Sequence, residues 1–270
     1  MGDIRLDLRP VVGTDARVAV VTLDRQHRAN AYGTATLVEL HDAFDAIAAA
    51  GAVRAVVLTG AGRHFSSGAD LREEQATSGQ RIDEVRRLLE RIADLPVPTI
   101  AAINGAAAGG GCELAIACDL RYIEPAATIG LPEIRFGGLA CVGGTQRLTR
   151  LIGTAKSMEL HLLGDLIDAA EAHRIGLVNA VVEPGTVLDV AIKVASTIAT
   201  RSPIAVQVAT RLIRGATDVD LAEGLRLEAE LTAPINDDLA DGLRDAAAND
   251  PTYARVTRER DDDGPGGATG

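Results

Sequence analysis

Tryptophan is absent from the 270-residue chain, and three phenylalanines and three tyrosines supply all of its aromatic rings. So few stacking surfaces, with 38 acidic against 27 basic side chains and a formal net charge of −11, argue against nucleic acid as a partner. The same acidic balance disfavours an anionic lipid surface. No apolar run approaches the roughly 18 residues that a bilayer crossing needs, so no membrane span is expected. The opening residues Met1-Gly2-Asp3-Ile4-Arg5 lack a basic stretch followed by an apolar one. A secretion signal is therefore not expected, and the cytoplasm is the expected location. Cys112, Cys118 and Cys141 are an odd number of thiols without paired metal-ligand spacing. That fits reduced side chains and no bound metal.

What is present describes a folded chain. Apolar residues make up 47% and charged residues 24%, enough to bury a sizeable core. In the first half, β-type runs alternate with helical patterns. Residues 18–23, 53–59, 99–103 and 120–123 read as strands. Leu37, Leu40, Phe44 and Ile47 recur at helical spacing, and so do Ile82, Val85, Leu88, Leu89, Ile92 and Leu95 ahead of Pro96 and Pro98. This alternation predicts an α/β fold with crossover helices. After a last strand at 178–182, helices are predicted over 186–200, 203–214, 220–233 and 237–248. The expected organisation is a core over 1–200, a helical region over 201–258 and a polar, glycine-rich, disordered tail over 259–270.

Several motif-like stretches carry little. Gly60-Ala-Gly-Arg-His-Phe65 begins like a dinucleotide fingerprint but lacks the third glycine and reads as a loop after a strand. Gly153-Thr-Ala-Lys-Ser157 lacks the upstream glycine of a phosphate-binding loop and reads as a helix start. The five histidines (His27, His41, His64, His161, His173) show no ligand pairing. Ser66 and Ser67 lack the flanking glycines of a nucleophile elbow.

Two segments carry chemistry. Phe65-Ser-Ser-Gly-Ala-Asp-Leu71 is a small-residue turn after a strand. Ile103-Asn-Gly-Ala-Ala-Ala-Gly-Gly-Gly-Cys-Glu-Leu-Ala115 places three glycines directly before a helix. Glycines there let the backbone approach a ligand and leave N–H groups at the positive helix end. Such a donor can stabilise a carbonyl oxyanion by roughly 3 kcal/mol. Glu113 and Glu133 both sit in apolar sequence, where a carboxylate is costly unless paired or used. As a pair they could divide acid and base roles; taken singly, each could equally be a helix-start charge or half of a buried ion pair.

At these residues the sequence resembles the crotonase (enoyl-CoA hydratase/isomerase) superfamily. Three blocks carry the resemblance: 65–71, 102–119, and Gly130-Leu-Pro-Glu-Ile134 with Gly143-Gly-Thr-Gln-Arg-Leu148. It covers residues 18–182 and continues more weakly to about 250. The resemblance implies a crotonase-like spiral of ββα turns and a C-terminal helical region used in trimerisation, as a homotrimer or a dimer of trimers. It implies an acyl-CoA thioester as substrate, with coenzyme A part of that substrate and no separate cofactor. The backbone N–H groups of Ala69 and Gly110 would form the oxyanion hole. Arg28 and Ala29 would lie along the CoA moiety, where Arg28 either meets a phosphate or is a solvated loop arginine. Asp70, Leu71 and Arg72 would line the substrate beside Ala69 and Gly110, and the segment 70–80 would cover the acyl end.

Family members that hydrate enoyl-CoA carry glutamate at both positions matched here by Glu113 and Glu133. The resemblance therefore points to an enoyl-CoA hydratase that turns a trans-2-enoyl-CoA into a 3-hydroxyacyl-CoA in acyl-CoA breakdown. Its rivals are an isomerase or another crotonase reaction on a specialised or branched thioester such as methylglutaconyl-CoA. A non-catalytic, RNA-binding homologue is disfavoured by the acidic balance and the intact carboxylate pair. Three departures stand out. Gln26 replaces a frequent proline, Cys141 falls where a pocket-side glycine is usual, and the C-terminal aromatic residues thin to Leu231 and Leu243.

Overall fold

The computed structural model describes residues 2–73, 78–233 and 235. In chain order, β1 (Ile4–Pro10) and β2 (Arg17–Leu23) precede α1 (Thr34–Ala49), then β3 (Val53–Gly60), β4 (His64–Ser66) and α2 (Gly79–Ala93). There follow β5 (Thr99–Ile103), β6 (Ala106–Ala108), α3 (Gly110–Ile116), β7 (Leu120–Ile123) and β8 (Thr128–Gly130). A 3-10 turn at Pro132–Phe136 leads to α4 (Gly144–Ile152), α5 (Thr154–Leu163), β9 (Leu166–Asp168), α6 (Ala169–Arg174), β10 (Ala180–Val181) and α7 (Val187–Ala199). Last come α8 (Pro203–Gly215) and α9 (Leu221–Thr232).

The strands form two sheets. The larger has six strands in the order β1-β2-β3-β5-β7-β10, and the smaller has four in the order β4-β6-β8-β9. Only the outer pairs β1–β2 and β8–β9 are antiparallel; the remaining ladders are parallel. Each of the strand pairs β3–β4, β5–β6 and β7–β8 therefore sends its first strand to the large sheet and its second to the small one. Helical segments carry the chain to the next pair. The result is a spiral of ββα turns.

Alternation along the central strands explains why the large sheet is covered on both faces. Ala19, Val21, Leu23, Val56, Leu58, Ala101 and Ile103 point into the main core with Leu37, Leu40 and Phe44 of α1 and Leu88, Leu89 and Ile92 of α2. Val18, Val20, Ala55, Val57, Ile100 and Ala102 point the other way, against Val187, Ala191, Ala195 and Ala199 of α7. The small residues of α7 let that helix lie close on the sheet.

By compactness the chain forms one unit ending at Arg201 and a second beginning at Ser202. In the second, Ser202 and Asp220 cap α8 and α9, their side chains accepting from Ala205 N and Glu223 N. The helix expected over 237–248 and the tail over 259–270 lie outside the described residues. Two details differ from the sequence-based expectation. The strand expected over 178–182 is only the two-residue β10, since Val178 and Asn179 form the turn that enters it. And β1, which was not expected, alternates Ile4, Leu6 and Leu8 against Arg5, Asp7 and Arg9.

Candidate active site

The turn after β4 is fastened on both sides. Phe65 is fully buried, and Ser66 Oγ donates to Asn30 O at 2.9 Å while accepting from Gly68 N at 3.1 Å. Tyr32 N donates to Gly68 O at 2.9 Å, and Asp70 N donates to Tyr32 O at 3.1 Å. These bonds bracket Ala69 without using its N–H. Opposite lies Gly110, the first residue of α3, where helix geometry leaves amides without intrahelical carbonyls. The two segments touch: a Cβ on Gly68 (φ 87°) would stand 2.8 Å from Gly110 N. A side chain at that position would wedge them apart. Ala69 and Gly110 thus stand on adjoining segments.

Both glutamates converge on the same place. Glu113, in the first turn of α3, is 3% exposed. Its Oε1 accepts from Val142 N at 2.9 Å and Gly144 N at 2.8 Å, amides of the segment that opens α4. Burial pushes its pKa up to about 7; those two amides pull down, and the Glu133 charge adds to the rise. Glu133 sits in the 3-10 turn, with its Oε1 so near Gly109 that a Cβ there would stand 2.9 Å away. Its Oε2 is buried and has no hydrogen-bond partner among the described residues. Burial also raises the Glu133 pKa, opposed by its own backbone amide and by His161. Ladder pairing of β6 with β8 and the bond from Gly109 N to Gly130 O hold the two carboxylate-bearing segments side by side.

Around this centre the remaining expected residues divide. Arg28 lies in the 3-10 turn Gln26–Arg28, partly buried, with Nε lacking a partner among the described residues. Ala29 follows it in the left-handed region (φ 50°). Ser67 N donates to Ala29 O, so this loop runs alongside the Ala69 turn. Asp70 is 7% exposed, and its carboxylate is engaged by Arg25 at 2.6 Å and by the Arg72 amide at 3.2 Å. Its side chain braces the turn from behind. Leu71 is 68% exposed and Arg72 is exposed as well. Of the segment 70–80, residues 74–77 lie outside the described residues.

Sequence reasoning missed five contributors. Val142 and Gly144 act through backbone amides, which no residue type announces. Arg25 ties Asp70 to Asp3 and also donates to Ala31 O. Asn30, fully buried and left-handed (φ 55°), accepts from Arg25 N and donates to Ala61 O and His64 O. Tyr32 is the fifth: burial, and then the charges of Glu113, Glu133 and Cys141, raise the pKa of its phenol well above the usual value. The Asn-Ala-Tyr stretch after the Arg28 turn was the available signal for the last two.

A spiral of ββα turns whose first strands join one sheet and second strands another is an architecture of the crotonase type. The enoyl-CoA hydratase/isomerase family pattern matches residues 13–244, and the chain belongs to that family. A short-chain-enoyl-CoA hydratase of Clostridium acetobutylicum is 37% identical over 82% of this chain and 86% of its own. A mitochondrial enoyl-CoA hydratase of Pongo abelii is 38% identical over 81% of this chain and 76% of its own. The crystal structure of an enoyl-CoA hydratase from Bacillus anthracis superposes with a TM-score of 0.82 at 38% identity, covering 90% of this chain and 95% of that one.

Proposed function

We propose that the protein is an enoyl-CoA hydratase that adds water across the double bond of a trans-2-enoyl-CoA to give the 3-hydroxyacyl-CoA. The observation that carries this reading is the pair Glu113 and Glu133, both with raised pKa, beside the Ala69 and Gly110 amides. Family relatives bearing the hydratase name at 37% and 38% identity support it.

The chemistry follows from the groups present. The thioester carbonyl oxygen receives the Ala69 and Gly110 N–H groups, which draws electrons from the double bond and leaves the β-carbon electrophilic. Water lies between the two carboxyls. Glu113, held at Oε1 by two amides, has Oε2 to take a proton as the water oxygen bonds to the β-carbon. The electron pair of the former double bond passes to the carbonyl oxygen as an enolate. Glu133, whose pKa partial burial raises, delivers its proton to the α-carbon and the carbonyl re-forms. One water is consumed, and the proton Glu113 gained returns to Glu133 to close the cycle. Every step is a proton transfer or a carbon–oxygen bond change.

The Arg28–Ala29 loop lies along the CoA moiety in this reading, with the unpartnered Arg28 Nε available to a phosphate. The helical region from Ser202 onward supports assembly into a homotrimer or a dimer of trimers, and the site of action is cytoplasmic acyl-CoA breakdown. Purified protein mixed with crotonyl-CoA tests the reaction. Rapid loss of the conjugated-thioester absorbance with formation of 3-hydroxybutyryl-CoA is expected. No loss with crotonyl-, longer or branched enoyl-CoAs, from protein that still binds CoA thioesters, would overturn it.

A further inference from the structure

We propose that the Tyr32 hydroxyl is a third hydrogen-bond donor in this site, a positioning residue that holds the water shared by Glu113 and Glu133. The inference rests on the hydratase reading and assigns a part to a side chain that the reaction as described leaves idle.

Four observations carry it. The Tyr32 backbone is pinned on both sides of Ala69 by Gly68 O and Asp70 N, so the ring has a fixed root. The side chain is 4% exposed, and its Oη lies against Gly110: a Cβ on Gly110 would overlap Oη and stand 2.9 Å from Cζ. That glycine is the one whose amide faces the thioester oxygen. The groups whose charges act on the phenol are Glu113 from α3, Glu133 from the 3-10 turn and Cys141 from the segment before α4. And Oη has no protein hydrogen-bond partner among the described residues and is not sealed from solvent.

These facts conflict with a purely structural tyrosine. The ring is buried, yet Oη has no protein partner among the described residues and is not sealed from solvent, so it is open to a water molecule; phenylalanine would fill the same space without that polar atom. With its pKa raised, the phenol keeps its proton and has an O–H to donate. The acceptor that enters between two carboxylates during hydration is the reacting water, and one O–H from Tyr32 fixes the direction of a lone pair while Glu113 takes the proton.

Tyr32→Phe tests this with crotonyl-CoA from pH 5 to 9. The expected result is a kcat at least about tenfold lower with KM within about twofold. The acid limb of the profile should move to higher pH, because losing a donor near the ionised base disfavours ionisation. Unchanged kcat and limb, or a loss confined to KM, would overturn the proposal. Should the variant not fold, replacing the three tyrosines of the chain with 3-fluorotyrosine keeps each ring and makes each hydroxyl a stronger donor. The acid limb should then move to lower pH, and an unmoved limb refutes the role. Failure of the hydratase reading shows separately, as wild-type protein that leaves enoyl-CoA unchanged.

Discussion

Glu113 and Gly144 are joined in two ways: the Gly144 N–H donates to Glu113 Oε1 at 2.8 Å, and a Cβ on Gly144 would stand 2.9 Å from that same oxygen. The added carbon would also meet the Ala140 methyl at 2.6 Å, so it cannot be accommodated without movement. Gly144→Ala should push the Glu113 carboxylate out of line by a fraction of an ångström. Misplacement on that scale costs about 10- to 100-fold in turnover. Steady-state kinetics should show that loss in kcat, with affinity for the product thioester within a few-fold of wild type. An unaltered kcat would mean that Glu113 is not held where its chemistry occurs.

Glu113 also links activity and stability through pH. Its pKa is pushed up to about 7, and the reaction needs it ionised, so kcat should fall about tenfold per pH unit below that value. The effect on folding has the opposite sense. A carboxyl whose folded pKa exceeds its unfolded value of about 4.3 binds its proton more tightly when folded. Its stabilising effect is complete below about pH 4 and is lost as pH rises to about 7, by on the order of 3 kcal/mol. Glu113→Gln keeps an oxygen for the Val142 and Gly144 amides but removes the ionisation. Its melting temperature should exceed that of wild type at pH 8, and the gain should vanish near pH 4.5. A gain independent of pH would show that burial of this carboxyl is not what raises its pKa.

How much of this was legible in the sequence depended on length and pattern. β2, β3 and β5 are long apolar runs, buried on both faces, and their sequences announce them. β4, β6, β8 and β9 are three residues each, and stretches such as Ala106-Ala-Ala108 have no strand character of their own. They are strands because the spiral stacks them in register. Ile4 to Arg9 did carry a period-two signal that could have been read. The glycine run and the two glutamates pointed to the candidate site, but the twenty-residue separation of the glutamates says nothing of proximity. That comes from β6 pairing with β8. The amides of Val142 and Gly144 could not be foreseen, because any residue supplies an N–H.

Asn30 is the hinge on which the Arg28 loop and the Ala69 turn meet. Its side chain uses three bonds, at 3.0 Å from Arg25 N, 2.9 Å to Ala61 O and 2.7 Å to His64 O, from a position with no exposure. Asn30→Ala removes them all, taking the side-chain partner from Ala61 O and Arg25 N while His64 O keeps Asn104, for a loss of about 3 kcal/mol. Asn30→Gly removes the same bonds but suits the φ of 55°, so it should be less harmful by about 1 kcal/mol. Urea unfolding of the two variants reads both terms. Equal midpoints would show that the left-handed backbone is not strained by alanine.

Glu133 offers the sharpest test of the division of labour. Its Oε2 is buried without a partner among the described residues, and burial raises its pKa, so it suits a proton donor better than a fixed charge. Glu133→Gln preserves the shape and the contact with Gly109 but has no acidic proton for the α-carbon. Turnover of crotonyl-CoA should fall by about 10²- to 10⁴-fold. Binding of 3-hydroxybutyryl-CoA should change little, since the Ala69 and Gly110 amides and the Arg28 loop are untouched. Exchange of the α-proton of a saturated thioester in D2O should be lost in the same variant. A simple structural defect would weaken binding and exchange together, whereas loss of the acid alone leaves a protein that binds thioesters and cannot protonate them. Near-wild-type turnover would assign the α-carbon proton to another group.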